Sequence, residues 1–187
     1  AMGHNTPAFI HTVTEAFKLA FADREAYVGD TDFVDVPVDV MISPEYADAR
    51  RARIDPGKAY PDIPPPGDVG RGTPAAVAAA AGPGDAQALN RADAGTSYCC
   101  AVDRHGNGFS CMISGGNANA PVVPGTGMGL AHFGIASRAD PEHPNSVEPG
   151  KRMRAGGPAI AVKPGEYIMP FGTPGSDVIP QAMAQVL

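Results

Sequence analysis

The sequence has few cysteines, few basic residues and no long apolar run. Its three cysteines, Cys99, Cys100 and Cys111, give neither a disulfide framework nor metal-ligand spacing. We interpret them as small buried hydrophobic residues, because a cysteine nucleophile needs a positioned histidine that the sequence does not indicate. A net charge of −6 excludes nucleic acid as the main partner. No apolar run is long enough for a membrane span, and no signal peptide is visible.

The composition is that of a folded chain with many loops. The 187 residues suit one domain with a sizeable core, and 43% of them are hydrophobic. The 23 glycines and 20 prolines predict much loop structure.

Two helices are predicted in the first third of the chain. Thr6 followed by Pro7 is a typical helix start, and apolar residues then recur at helical spacing until about residues 27–29. Ser43 before a proline and a glutamate begins the second helix, which we expect to run to about Ile54.

The rest of the chain divides into a linker and a β-rich segment. Residues 56–95 are rich in proline, glycine and alanine, so we interpret them as a flexible linker that follows a helical segment, 1–55. Within 96–187 we predict one strand pair at 96–103 and 107–114, and another at 158–163 and 167–171, before a final helix. Strands grouped between helices predict an α+β fold, an antiparallel sheet covered by helices.

The step from Gly95 to Thr96 joins this linker to the first strand. If the chain is cut before Thr96, the freed α-amine has a pKa of about 7.7–8 and accepts the proton of the Thr96 hydroxyl at neutral pH. Donors for an oxyanion are available in the turn Pro174-Gly175-Ser176. The alternative is a threonine that opens a strand for its β-propensity alone.

Several stretches resemble the γ-glutamyltranspeptidase family. "TVTEAFKLAFADREAYVGDTDFVDVP" resembles the end of its large subunit, and "TSYCCAVDRHGNGFSCMIS" resembles the start of its small subunit. "VVPGTGMG", "PGKRMR" and "FGTPGSD" are similar to its small-subunit motifs, in the same order. The resemblance implies part of the αββα sandwich of the N-terminal nucleophile hydrolases. It also implies cleavage between Gly95 and Thr96, and amide hydrolysis or acyl transfer without a metal or organic cofactor.

The resemblance also implies roles for single residues. Thr96 matches the nucleophile, and its amine matches the base. Ser114 matches a hydroxyl residue that orients the nucleophile, the alternative being an ordinary strand-end serine. Gly175 and Ser176 match a two-residue oxyanion turn, the alternative being a plain loop before a helix.

The expected substrate is a small amide other than a γ-glutamyl compound. Phe133, Ala136, Ala155 and Gly156 stand about where the family's transpeptidases hold the glutamate ammonium and carboxylate. Such side chains cannot pair with those charges. The candidates for substrate binding are named only from their place in the matching motifs, with ordinary loop or surface positions as the alternative: Asn117, Asn119, His132 and Arg154.

Two other functions remain open. The chain resembles a fragment across the junction of the two subunits, so we expect the remainder of both subunits as its partner and self-association through exposed sheet edges. A non-catalytic relative that serves as a binding module is one alternative. A true γ-glutamyltranspeptidase is the other.

Overall fold

The computed structural model describes residues 2–72, 96–114, 121–129, 137–154, 156–175 and 177–186. The chain divides into two compact units, which are described separately. The first comprises Ala1–Ala86 and Ala136–Arg154, and the second comprises Gln87–Ile135 and Ala155–Leu187.

Helix α1, Pro7–Tyr27, is the main element of the first unit. The hydroxyl of Thr6 accepts a hydrogen bond from the Phe9 N–H at 3.2 Å, and Pro7 occupies the first turn, where no N–H is needed. The predicted start and end of this helix are confirmed.

Two shorter helices follow. Helix α2, Val38–Met41, is a single turn that the sequence did not predict, and helix α3 is Pro44–Arg51. Ser43 Oγ accepts from the Tyr46 N–H at 3.1 Å, which confirms the predicted start of α3. The helix ends before the predicted Ile54.

Residues 56–72 differ from the predicted flexible linker, because they pack against α1. Two acidic side chains of α1 accept backbone hydrogen bonds: Glu15 from the Tyr60 N–H at 2.9 Å, and Asp23 from the Gly67 N–H at 2.7 Å. Tyr27 donates to the Gly67 carbonyl at 2.6 Å. These contacts give hydrogen-bond partners to backbone groups of residues 56–72, which form neither helix nor strand. The remainder of the predicted linker, 73–95, lies outside the described residues.

The apolar core of the first unit is small. Ala26 and Tyr27 from the end of α1 pack with Tyr46 and Val69, and Met41 adds a partly buried contact. Ion pairs between α1 and residues 137–154 therefore contribute much of the interaction between the segments of this unit.

The second unit contains two antiparallel hairpins and a helix. Strands β1, Thr96–Val102, and β2, Gly108–Ser114, form one pair, and strands β3, Ala159–Lys163, and β4, Tyr167–Phe171, form the other. Helix α4 is Val178–Val186. The mixture of helices with small antiparallel sheets confirms the predicted α+β class.

The two hairpins pack through glycines. A Cβ on Gly108 would lie 2.5 Å from Ile168 Cδ1, and a Cβ on Gly172 would lie 2.7 Å from two atoms of the Tyr98 ring. Neither position has room for a side chain.

Several residues of β1 and β2 are exposed. They include the apolar Val102, Phe109 and Ile113. Cys99 and Cys100 are also exposed and Cys111 is half-buried, contrary to their interpretation as buried residues, because the described residues leave much of this hairpin's surface uncovered. Among the described residues, no helix is both long and apolar enough for a membrane crossing.

Candidate active site

Thr96 and Ser114 face each other across the first hairpin. Thr96 is the first residue of β1 and Ser114 is the last residue of β2, and the register pairs them directly. Their hydroxyl oxygens, Oγ1 and Oγ, are 2.8 Å apart, so one hydroxyl donates to the other. The structure thus brings together the two hydroxyl residues that the sequence selected, 18 positions apart.

The turn between β1 and β2 fixes this register. The carboxylate of Asp103 accepts from the backbone N–H groups of His105 and Asn107 at 2.8 and 2.9 Å, and from Asn107 Nδ2 at 2.7 Å. The side-chain bond from Asn107 is the largest of the effects that lower the pKa of Asp103. Gly106 has a φ of 83°, which is unstrained only for glycine. A slip by one residue would move Thr96 to the other face of the sheet.

The chain segment after β4 approaches the same face of the first hairpin. Residues two apart in a strand share a face, so Tyr98 projects on the side of Thr96, and Met112 projects on the side of Ser114. Gly172 lies against the Tyr98 ring and near Met112 Cε. Tyr98 is held in place by a 2.9 Å hydrogen bond between its hydroxyl and Ser110 Oγ.

The turn that was predicted as an oxyanion site immediately precedes helix α4. Gly175 has a φ of 136°, and its carbonyl accepts from the Val178 N–H at 3.0 Å. Backbone N–H groups at a helix start carry partial positive charge, which suits a developing oxyanion. The other residue of the predicted turn, Ser176, lies outside the described residues.

Cys99 lacks the lowered pKa of an activated cysteine nucleophile. Cys99 and Cys111 are paired across the sheet, and all three cysteines are free thiols. Desolvation of the sulfur and the neighbouring Cys111 raise the pKa of Cys99. A raised pKa disfavours the reactive thiolate.

Arg154 is the one candidate substrate-binding residue within the described residues. It belongs to the first unit, where its guanidinium binds the Glu25 carboxylate and donates to the Arg24 carbonyl at 2.9 Å. These contacts bind the Arg154 side chain to the end of α1. The other candidates, Asn117, Asn119 and His132, and the predicted cleavage residue Gly95 lie outside the described residues.

One feature that sequence reasoning missed is the charged cluster at the end of α1. Glu25 and Asp30 bind arginines that lie more than a hundred positions later in the chain. The one available signal was that "ADREAYVGDTDF" is acidic and "PGKRMR" is basic. No three or more His, Cys, Asp or Glu side chains in the described ranges are grouped to hold a metal ion.

Comparison with known proteins places the chain in a family. A family model described as Gamma-glutamyltranspeptidase matches residues 1–187, and the chain belongs to this family. The predicted resemblance is thereby confirmed.

Three similar curated proteins are named as proenzymes. Acylase ACY 1 proenzyme from Pseudomonas sp. strain SE83 is 29% identical, and the match covers 100% of this chain and 30% of the relative. Glutathione hydrolase proenzyme from Pseudomonas aeruginosa is 29% identical, with 98% of this chain and 31% of the relative covered. Oxamate amidohydrolase proenzyme from Klebsiella pneumoniae is 30% identical, with 94% and 29% covered.

A solved structure extends the comparison to the fold. The crystal structure of cephalosporin acylase from Bacillus halodurans matches with a TM-score of 0.72 and 29% identity, over 100% of this chain and 30% of that one. The chain therefore spans about 30% of the length of these proteins.

Proposed function

We propose that the protein containing this chain is an amide hydrolase or acyltransferase that cuts itself before Thr96 and then uses Thr96 as its nucleophile. The observation that carries the proposal is the 2.8 Å contact between the Thr96 and Ser114 hydroxyls at the end of the hairpin. Membership of the γ-glutamyltranspeptidase family and relatives that are named as proenzymes support it.

Self-cleavage requires only groups of the chain and water. Thr96 Oγ1 attacks the carbonyl carbon of Gly95, its proton passes to the Thr96 nitrogen, and the C–N bond to Thr96 breaks as the new ester bond forms. Water then hydrolyses the ester, which leaves a carboxylate on Gly95 and a free α-amine on Thr96. Ser114 positions Oγ1 for the attack through its hydrogen bond.

Amide cleavage then repeats the same chemistry on a substrate. Oγ1 attacks the substrate carbonyl while its proton passes to the α-amine, which suits this role because its pKa is near about 7.7–8. The amine returns the proton to the leaving nitrogen as the acyl group is transferred to Thr96. Water, or another amine in a transferase, releases the acyl group. Gly175 and Ser176 donate backbone N–H groups to the oxyanion.

The proposed substrate class is a small amide without the α-amino group of a γ-glutamyl compound. It rests on Phe133 and Ala136, which are apolar where the family's transpeptidases bind that ammonium group. Both residues lie outside the described part of the chain. Relatives named as acylase and oxamate amidohydrolase favour this class, and a relative named as glutathione hydrolase favours the γ-glutamyl alternative.

A pair of chromogenic anilides tests the proposal in the full natural protein. Glutaryl-p-nitroanilide and γ-glutamyl-p-nitroanilide differ only in the α-amino group. We expect faster release of nitroaniline from the glutaryl compound, and a loss of at least about 10³-fold in the Thr96→Ala variant.

Each other outcome has a definite meaning. Turnover that survives the Thr96→Ala substitution would exclude Thr96 as the nucleophile. A preference for the γ-glutamyl anilide would favour the true transpeptidase. Absence of turnover of any amide, with an uncut chain, would favour the non-catalytic binding module.

A further inference from the structure

The first unit joins chain segments from both sides of the candidate cleavage site. We call residues 2–72 the pre-cut segment and residues 137–154 the post-cut segment. Both belong to one compact unit, although Thr96 lies between them in the sequence. A cut before Thr96 would therefore leave this unit composed of two separate chains.

Glu25, in the last turn of α1, binds the post-cut segment through several cations. One carboxylate oxygen, Oε1, binds the Arg154 guanidinium, and the other, Oε2, accepts from Arg138 Nη2 at 3.1 Å. His143 Nε2 lies 3.6 Å from Oε2. Because His143 Nδ1 accepts from the Asn145 N–H at 3.0 Å, the ring proton resides on Nε2 and faces Glu25. Glu25 thus contacts three residues of the post-cut segment, in addition to Arg24 Nη2 of its own helix, which donates to Oε1 at 3.3 Å.

Asp30, just after α1, makes a second and separate set of bonds. Its side chain is 1% exposed, and it accepts from the Arg152 backbone N–H at 2.7 Å and from Arg152 Nη2 and Nε at 2.7 and 3.1 Å. Asp32 adds a contact to Arg152 Nη2 at 2.5 Å. A buried carboxylate with a bidentate arginine is costly to leave unpaired.

Close backbone packing lies between these two sets. A Cβ on Gly29 would be 2.1 Å from the Pro144 carbonyl oxygen. The Arg154 guanidinium also donates to the Arg24 carbonyl at 2.9 Å, in the last turn of α1, where the same carbonyl accepts from the Val28 N–H at 3.1 Å. The contact between the segments is therefore specific in both charge and shape.

We propose that Glu25 and Asp30, with Arg138, Arg152 and Arg154, form a charged clamp that holds the pre-cut and post-cut segments together once the chain has been cut. The natural role of the clamp rests on the proposed function, because the cut before Thr96 is part of that proposal. The clamp thus joins the two cleavage products of the same chain to each other. The described members of this unit's apolar core all belong to the pre-cut segment, so we expect the ion pairs to contribute most of the affinity between the two segments.

An engineered cut tests the clamp independently of self-cleavage. The 187-residue chain carries Thr96→Ala, an N-terminal affinity tag and a recognition sequence for a site-specific protease between residues 80 and 85. After proteolysis, the dissociation constant of the two pieces is measured from the fraction of the untagged piece that stays bound to the tagged piece. We expect the pieces to stay together, and Glu25→Gln with Asp30→Asn to raise the dissociation constant at least about 10-fold.

A matched control removes the same charge from exposed pairs. Asp48→Asn with Glu166→Gln breaks the Arg51–Asp48 and Lys163–Glu166 pairs, each of which lies within one of the two cleavage products. This variant should bind like the unmodified chain. Immediate separation of the unmodified pieces, or a clamp variant within about twofold of the control, would overturn the proposal.

A second variant keeps the test valid if the clamp double variant does not fold. The Arg152 side chain is 68% exposed, so Arg152→Ala leaves no cavity in the core. It removes the guanidinium from Asp30 and should weaken binding at least about threefold. Unchanged binding in a folded Arg152→Ala variant would overturn the Asp30 half of the clamp. Because the protease makes the cut, failure of self-cleavage would not affect either result.

Discussion

At the scale of single residues, the hydrogen bond between Thr96 and Ser114 is the basis on which we propose Ser114 as a positioning residue. Ser114→Ala removes this partner and leaves Oγ1 free to rotate, so we expect both self-cleavage and amide turnover to fall about 10²-fold. The rate of each is measured in the full natural protein, by the fraction of cut chain over time and by anilide release.

A conservative variant separates positioning from a structural effect. Ser114→Thr keeps a hydroxyl at the strand end and should recover most of the lost rate, with little change in KM. If Ser114→Ala cleaves itself and turns over amide at the natural rate, Ser114 has no role at the site. If Ser114→Thr is as slow as Ser114→Ala, loss of the hydroxyl at position 114 does not explain the loss of rate.

The pairing of these two residues was predictable from the sequence, and the clamp was not. The turn at Arg104-His105-Gly106 centres the hairpin, so counting outwards along two strands brings Thr96 opposite Ser114. Glu25 and Arg154 are 129 positions apart, and no local pattern specifies a contact over that separation. The α1 contacts of residues 56–72 were missed for the same reason, since their partners lie on a different element.

At the scale of elements, the packing of the two hairpins depends on Gly172. A Cβ there would lie 2.7 Å from Tyr98 ring atoms, and the Tyr98 hydroxyl is bonded to Ser110. Gly172→Ala should therefore lower the free energy of unfolding by about 1–3 kcal/mol, because the ring must shift. Thermal or urea unfolding of the 187-residue chain measures this change.

Gly157→Ala is the matched control. Nothing lies within 4 Å of a Cβ at Gly157, so the same substitution there should change stability by less than about 0.5 kcal/mol. Equal stability of the two variants would show that the hairpins do not pack through Gly172.

Element bounds were predicted well where the pattern is local. Strand β4 has its predicted bounds, and β1 ends one residue before the predicted 103. Helix α2 was missed because a single turn has no apolar periodicity to detect.

At the scale of the whole molecule, the clamp predicts how pH affects association of the two cut pieces. Burial raises the pKa of Glu25, but the bonds to His143, Arg154 and Arg138 outweigh it and hold the pKa well below its ordinary value of 4.5. Arg152 holds the pKa of Asp30 well below its ordinary 3.8. Among the described residues, the charged or titratable groups that contact the two carboxylates or their arginine partners are Arg24, Asp32, Arg138, His143, Arg152 and Arg154.

The direction of the pH effect follows from these shifts. Carboxylates with a lowered pKa in the folded state stabilise association fully above about pH 4.5, and this contribution is lost as pH falls toward the lowered values. The dissociation constant of the unmodified pieces should thus rise more steeply below pH 4.5 than that of Glu25→Gln with Asp30→Asn. Identical pH profiles for the two would show that these carboxylates do not carry the acid sensitivity.

Self-cleavage before Thr96 is the central claim, and intact-mass analysis with N-terminal sequencing of the full natural protein tests it most directly. We predict a fragment that begins Thr-Ser-Tyr-Cys-Cys, and a single uncut chain in the Thr96→Ala variant. An uncut natural protein, or a Thr96→Ala variant that is cut at the same bond, would contradict the claim.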